Sequence, residues 1–213
     1  MKRQQLIPEV PEPGAVNPPV EAANEYQAPV APRSISGEEL QRRRHLRQKF
    51  NQELASLSGQ KVHLIVFPLG NEEYAFDLNK AREVVMTPSI SKVPHTPDYI
   101  PGVTEIRNSV VLIFDLAKKF GIDNSEQLVR PYTMVIENDQ FKVGVLVERV
   151  PDTMIVQGDE IKNTSGICAD TTQDETYIKG MIKVGERMIF YLDVEELIAG
   201  DRANFMPLVA EEV

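Results

Sequence analysis

Tyr99-Ile-Pro-Gly-Val-Thr-Glu-Ile-Arg-Asn-Ser-Val-Val-Leu-Ile-Phe-Asp-Leu-Ala-Lys-Lys-Phe-Gly121 carries the plan on which the chain is built. A turn signal at Pro101-Gly102 leads into an amphipathic run carrying Arg107, and then come consecutive apolar residues, Val110 to Phe114. A short β-branched run bounded by turn signals predicts a strand buried on both faces. Asp115 closes that run and opens a short helical pattern that stops at Gly121. The plan recurs 78 residues later: Tyr177-Ile-Lys-Gly180 repeats Tyr99-Ile-Pro-Gly102, Met188 to Tyr191 repeats the apolar run, and Asp193 stands where Asp115 stood. Such a repeat implies two similar subdomains, with Gly102 and Gly180 as their turn glycines.

Working outward, His63-Leu-Ile-Val-Phe-Pro-Leu69, the turn Gly70-Asn-Glu-Glu73 and the alternation Tyr74, Phe76, Leu78 predict a β-hairpin. Tyr132 to Ile136, the turn Glu137 to Gln140 and the alternation Phe141, Val143, Val145, Val147 predict the same hairpin 67 residues on. A polar link follows each hairpin, Lys80-Ala-Arg-Glu83 and Glu148-Arg-Val-Pro151, and then a third strand. The offset grows from 67 to 78 through an insert in the second copy, Asp159 to Asp174. Each half then holds about five short strands and one terminal helical turn, and strands of this length close most economically into a small barrel. The expected architecture is mainly β, with barrels at about residues 60–130 and 131–200 of a domain spanning 60–200 and a tail at 201–213.

Before this domain stand two segments of different character. Residues 1–35 hold prolines at 8, 11, 13, 18, 19, 29 and 32 with hardly any aromatic side chains, a composition that predicts a disordered tail. Ser36-Gly-Glu-Glu39 is a capping-box pattern and Gly59 a C-terminal stop. Between them Leu46, Phe50, Leu54 and Leu57 form one stripe of an amphipathic helix over 36–59, and Arg42, Arg43, Arg44, Arg47 and Lys49 make its other face basic. Three readings fit that face: a solvated surface on a helix packed against the domain, a helix docking on a partner, or contact with nucleic acid or anionic lipid.

The net charge of −9, with −10 on residues 60–213 (15 basic, 25 acidic), argues against a general polyphosphate ligand. It leaves a nucleic-acid binder using small barrels and the basic helix 38–58 as the alternative from another class. The single cysteine, Cys168, forms no internal disulfide, which suits a reducing, cytoplasmic setting. Neither a secretory signal nor an apolar run long enough to span a membrane is present, so no direct membrane insertion is expected. His45, His63 and His95 are scattered, and neither zinc spacing, a phosphate-binding loop nor a nucleophile elbow occurs, so no metal, no cofactor and no catalysis are expected. Asp115 and Asp193 invite comparison with paired acid-protease carboxylates. No Asp-Thr-Gly triplet accompanies them, and their place between a strand and a helical pattern reads as helix capping. Arg107 stays open between a structural ion pair at a barrel rim, with Glu83 as mate, and a partner-contacting arginine.

Phe67-Pro-Leu-Gly-Asn-Glu-Glu-Tyr-Ala-Phe-Asp77, Thr96-Pro-Asp-Tyr-Ile-Pro-Gly-Val-Thr-Glu-Ile-Arg107, Val110-Val-Leu-Ile-Phe-Asp-Leu116 and Tyr177-Ile-Lys-Gly180, in this order and spacing, resemble the CheW family of chemotaxis coupling proteins. The resemblance covers roughly residues 60 to 200. It implies two five-stranded SH3-like barrels around a shared apolar core, without enzymatic activity. It also implies an adaptor bridging chemoreceptor cytoplasmic tips to a CheA-type histidine kinase, at membrane-bound receptor arrays. By the same resemblance Arg107, Glu83 and Val84 would contact the receptor, and Ala81 and Glu83 the kinase. Where the family motif runs Asn-Leu-Arg-Gly, this chain has Glu105-Ile106-Arg107-Asn108. Asn108 must then accept the backbone shape of a glycine, which asparagine does at positive φ.

Overall fold

The computed structural model describes residues 36–122, 130–164 and 175–205. The expected disordered tail, Cys168 with most of the insert, and the final residues 206–213 lie outside the described residues.

The chain opens with α1 (Gly37–Ser56), and Ser36 caps it by accepting a hydrogen bond from the Glu39 amide at 3.2 Å. Eleven strands follow among the described residues. They are β1 (Lys61–Leu69), β2 (Glu72–Asp77), β3 (Ala81–Met86), β4 (Gly102–Ile106), β5 (Ser109–Phe114), β6 (Tyr132–Glu137), β7 (Lys142–Val147), β8 (Asp152–Gln157), β9 (Ile161–Lys162), β10 (Ile178–Val184) and β11 (Arg187–Leu192). Two helices stand at equivalent places in the repeat, α2 (Leu116–Lys119) after β5 and α3 (Val194–Phe205) after β11.

The strands form two sheets, β8-β1-β2-β11-β10-β9 and β3-β6-β7-β5-β4. Neither sheet is one half of the sequence. The first takes its hairpin β1–β2 from the first copy and its other strands from the second, and the second sheet does the reverse. The mainly β, two-sheet architecture stands, but its two sheets are not the halves 60–130 and 131–200, because the halves exchange hairpins reciprocally. The reason lies in the parallel pairs β2–β11 and β5–β7, which no tight turn can join and which draw strands distant in sequence together. In both sheets the chain carries one edge round to the other. A 3-10 turn, Gly158–Glu160, links the outer strands β8 and β9, while Ser91 and Val103 exchange two backbone hydrogen bonds beside β4.

The registers also refine the repeat. Phe190 faces Tyr74 as Leu112 faces Val143, so the hairpins are 69 residues apart rather than 67. The bridge Lys162–Met181 answers Ser91–Val103, so the large insertion falls after Lys162, and Gly158 to Lys162 belong to the repeat. The segment expected as a polar link, Lys80 to Glu83, divides between a 3-10 turn (Leu78–Lys80) and β3, which places Glu83 in a strand. The terminal helical turn of the second half is a 12-residue helix that absorbs residues 201–205 of the expected tail.

Among the described residues three apolar clusters hold this together. One lies inside the first sheet (Leu64, Val66, Val156, Ile161, Ile182, Ile189), and a smaller one lies inside the second (Ile106, Val111, Ile113, Val135, Leu146). The largest lies between the sheets. β5 shows how one strand serves two clusters: Leu112 and Phe114 enter the shared layer, and Val111 and Ile113 the interior of their own sheet. Phe120, at the C-terminal cap of α2, joins the halves, its ring centroid 5.2 Å from that of Tyr74 and 5.1 Å from that of Tyr177. Because the hairpins are exchanged and the layer is common, both sheets should unfold in one cooperative thermal transition. Phe114→Ala should destabilise them together by about 3–5 kcal/mol, as truncation of a fully buried phenylalanine does. Calorimetry checks this, and two separable transitions would contradict it.

Candidate functional site

The second sheet exposes a polar site at the rim where its ends approach. β3 is an outer strand in which Ala81 and Val84 lean on the shared core and Val85 on the sheet interior, while Arg82 and Met86 are exposed. Glu83 points toward the β4–β5 turn. There the Nε of Arg107 donates to both Glu83 carboxylate oxygens, at 2.8 Å each. The pair ties one end of the sheet to the other across a seam where β3 and β4 are not hydrogen-bonded neighbours. The structure thus brings Glu83 and Arg107 together, and it turns Ala81 and Val84 into half-buried positions against the core.

The turn that presents Arg107 is unusual. Ile106 pairs with Ser109, so Arg107 and Asn108 are the two central residues, with φ of +51° and +60°. Positive φ at both positions marks a type I′ turn, whose twist suits a hairpin. Asn108 adopts the backbone shape its place in the motif demands. Arg107, without a glycine's freedom, is held in a conformation that costs of order 1 kcal/mol. The Glu83 pair does not repay this generously, since the Arg107 side chain is 76% exposed and exposed pairs contribute about 0–1 kcal/mol.

The other sheet supplies a comparison. Near the β10–β11 hairpin end, Arg187 donates through both Nε and a terminal nitrogen to Glu73 at 2.7 Å, a bidentate clamp that holds the Glu73 carboxyl below the usual range. Arg107 spends only its Nε on Glu83, and the rest of the guanidinium is presented to solvent.

The two aspartates have separate partners. Asp115 accepts from the Lys118 amide at 3.2 Å at the start of α2 and forms a buried ion pair with Arg130 at 3.0 Å. Asp193 accepts from the amides of Glu195 and Glu196 at 2.9 and 3.1 Å at the start of α3, with Lys49 at 3.7 Å and Lys179 at 4.0 Å. Asp193 lines a cleft of about 230 Å³ with Lys49 and Lys179, but both carboxylates are engaged by cap amides and cations rather than left as a free acid or base. Gly102 and Gly180 sit in strands rather than turns: Gly102 opens β4, and Gly180 lies in β10 beside a register shift. At Gly102, with φ +146°, a Cβ would collide with the Ser91 carbonyl, so the glycine admits the segment that closes the sheet.

Part of the basic face of the first helix turns inward. Lys49 bonds Glu196 at 2.8 Å, and Arg42 stands 3.9 Å from the same carboxylate. Burial lowers the Lys49 pKa, but the hydrogen bond to Glu196 and the nearby Asp193 charge outweigh it, leaving it raised. These contacts neutralise within the molecule part of the charge that the nucleic-acid alternative needs. No group of three or more potential metal ligands occurs among the described residues, and no helix among them is long and apolar enough to cross a membrane.

The model of the CheW-like domain matches residues 63–202. The chain belongs to the CheW family. The chemotaxis protein CheW of Klebsiella aerogenes is 30% identical over 163 residues, covering 74% of this chain and 95% of the relative. The Thermotoga maritima chemotaxis protein CheW is 26% identical over 139 residues, 65% of this chain and 89% of the relative. The crystal structure of the scaffolding protein TtCheW from Thermoanaerobacter tengcongensis superposes with a TM-score of 0.57 at 28% identity, covering 63% of this chain and 90% of that one. Members of the CheW family are chemotaxis scaffolds, not enzymes, and this chain shares their two-sheet fold. The α1 helix lies before the matched segment.

Sequence reasoning reached Glu83 and Arg107, but not the turn geometry or the 76% exposure of Met86 at the end of β3. An apolar residue ending an edge strand carries no signal that separates it from core. Because the turn strains Arg107 about as much as its ion pair stabilises it, Arg107→Gly should change the stability of the full chain by no more than about 1 kcal/mol in urea unfolding. A loss above about 2 kcal/mol would show that the pair is structural.

Proposed function

We propose that this chain couples chemoreceptor cytoplasmic tips to a CheA-type histidine kinase, as a non-enzymatic adaptor in a chemosensory array. The observation that carries the reading is the Glu83–Arg107 pair: a guanidinium held forward at a strained turn, orientated by one carboxylate through its Nε and otherwise open. An arginine fixed in orientation yet still able to donate suits a binding hot spot, because little side-chain entropy is left to lose. The receptor side of the contact would use Arg107, Glu83 and Val84, and the kinase side Ala81 and Glu83. Ala81 and Val84 then act by shaping β3 more than by direct contact, since both lean on the core.

Family membership supports the class of work, and the fold suits it. Both sheet interiors are filled by side chains, so recognition falls to outer strands and turns. A helical receptor tip would lie on such a surface by apolar contact with a polar rim, each contact weak and the lattice supplying avidity. The protein would work at membrane-bound receptor clusters without entering the bilayer.

The test is recruitment. Full-length chain and its Arg107→Ala variant are incubated with receptor-containing vesicles and histidine kinase, and the bound fraction is measured by sedimentation. The variant should fold normally by circular dichroism and lose at least tenfold in recruitment, about 1.4 kcal/mol. Unchanged recruitment would remove Arg107 from the contact, and an unfolded variant would return the pair to a structural role.

A further inference from the structure

The first sheet carries a helix that the family's domain does not include. α1 lies against β10 and the 3-10 turn Glu175–Tyr177, outside the segment 63–202. Its buried side chains are Leu46, Phe50 and Leu54, spaced at i, i+4 and i+8. The floor beneath is opened by two glycines. A Cβ at Gly180 would press on Ile161 with Leu54 close by, and a Cβ at Gly158 would collide with the Leu57 carbonyl. Charge fixes the register. Lys49 reaches Glu196 and Asp193, and Glu53 reaches Lys179 at 2.9 Å. At the exit Asp159 accepts from the Ser58 hydroxyl at 2.6 Å and the Gly59 amide at 3.0 Å.

This seat differs from the rest of the core. The shared layer and the interior of the second sheet contain no α1 residue, and the interior of the first takes only Leu54, with Leu57 partly buried. Clefts of about 600 and 230 Å³ flank the helix, one lined by Asn51, Ser58 and Lys162, the other by Glu53, Lys80 and Lys179. A single apolar stripe, part-buried ion pairs and open flanks describe an interface of the reversible kind.

We propose that the groove on the first sheet is a helix-accepting site whose intramolecular occupant is α1, so that displacing α1 opens a second interaction surface remote in sequence from Glu83 and Arg107. The partner that fits is an amphipathic helix with apolar side chains at i, i+4 and i+8, a cation at i+3 to meet Asp193 and Glu196, and an anion at i+7 to meet Lys179. The proposal does not depend on the receptor and kinase reading, since its evidence lies in the first sheet, the 3-10 turns beside it and the start of α3, away from Glu83 and Arg107.

A fluorescein-labelled peptide of residues 36–58 serves as the probe, titrated by anisotropy against the full chain and its Lys49→Glu/Glu53→Lys double variant. The double exchange sets like charges against Asp193, Glu196 and Lys179 and frees the groove without altering it. The peptide should bind the variant chain about a hundredfold more tightly than the wild type, whose tethered helix competes at an effective concentration on the order of millimolar. A peptide carrying the same two exchanges should not bind. Failure to bind the variant chain, or equal binding to both chains, overturns the proposal. Should the variant not fold, a protease site inserted between Ser58 and Gly59 of the otherwise native chain replaces it. After cleavage the helix should leave the domain on dilution and be displaced by the peptide. Retention until the whole domain unfolds, or sedimentation as a helix-exchanged dimer, also overturns it.

Discussion

The apolar layer between the sheets is the constraint from which the remaining structure follows. Strands that meet it must also close their own sheet, so both of their faces are buried. β1 sends Ile65, Phe67 and Leu69 into the layer and Leu64 and Val66 into its sheet, and β5 does the same with alternate residues. Each fully buried side chain of this kind contributes about 1.5–3 kcal/mol, so a strand used twice is worth far more than an edge strand of equal length. The exchange of hairpins locks the arrangement, since each sheet needs strands from both copies of the repeat. With its interiors filled in this way, the outer strands, turns and helices are the surfaces left to a partner.

Much of this was legible in residues. The run Val110 to Phe114 reads as a doubly buried strand because apolar side chains occupy both phases of its period. Asp115 and Asp193 read as caps because each precedes a helical pattern, and the amides of Lys118, Glu195 and Glu196 are their donors. The strand exchange was not legible, because periodicity tells which face a residue turns and not which strand it meets. Glu83 reads as part of a link because the polar residues around it hide an outer strand whose side chains are half-buried or exposed. The repeat offset differs by two residues because strand alternation has a period of two, so a shift from 67 to 69 leaves every side chain on the same face and only the registers tell the two apart.

The two sheets have diverged within one plan. By the 69-residue offset Glu83 corresponds to Asp152 and Met86 to Ile155, so each outer strand bears an acidic residue and an exposed apolar one. Their arginines differ. Arg187 is clamped by Glu73, while Arg107 stands on a turn that favours glycine or asparagine. Beside β10 the first sheet carries α1, which has no counterpart on the second among the described residues. A duplicated framework has thus kept its core and separated its surfaces, one rim open and one groove filled from within.

We propose that the outside of the second sheet, at β3 and the β4–β5 turn, is the surface that receives chemoreceptor tips. Hydrogen–deuterium exchange of the full chain, with and without a helical-hairpin fragment of a chemoreceptor tip, reads that surface directly. Protection should gather at residues 81–86 and 106–110, with the β10–β11 hairpin end unchanged. Protection confined to the first sheet, or absent throughout, would contradict the account.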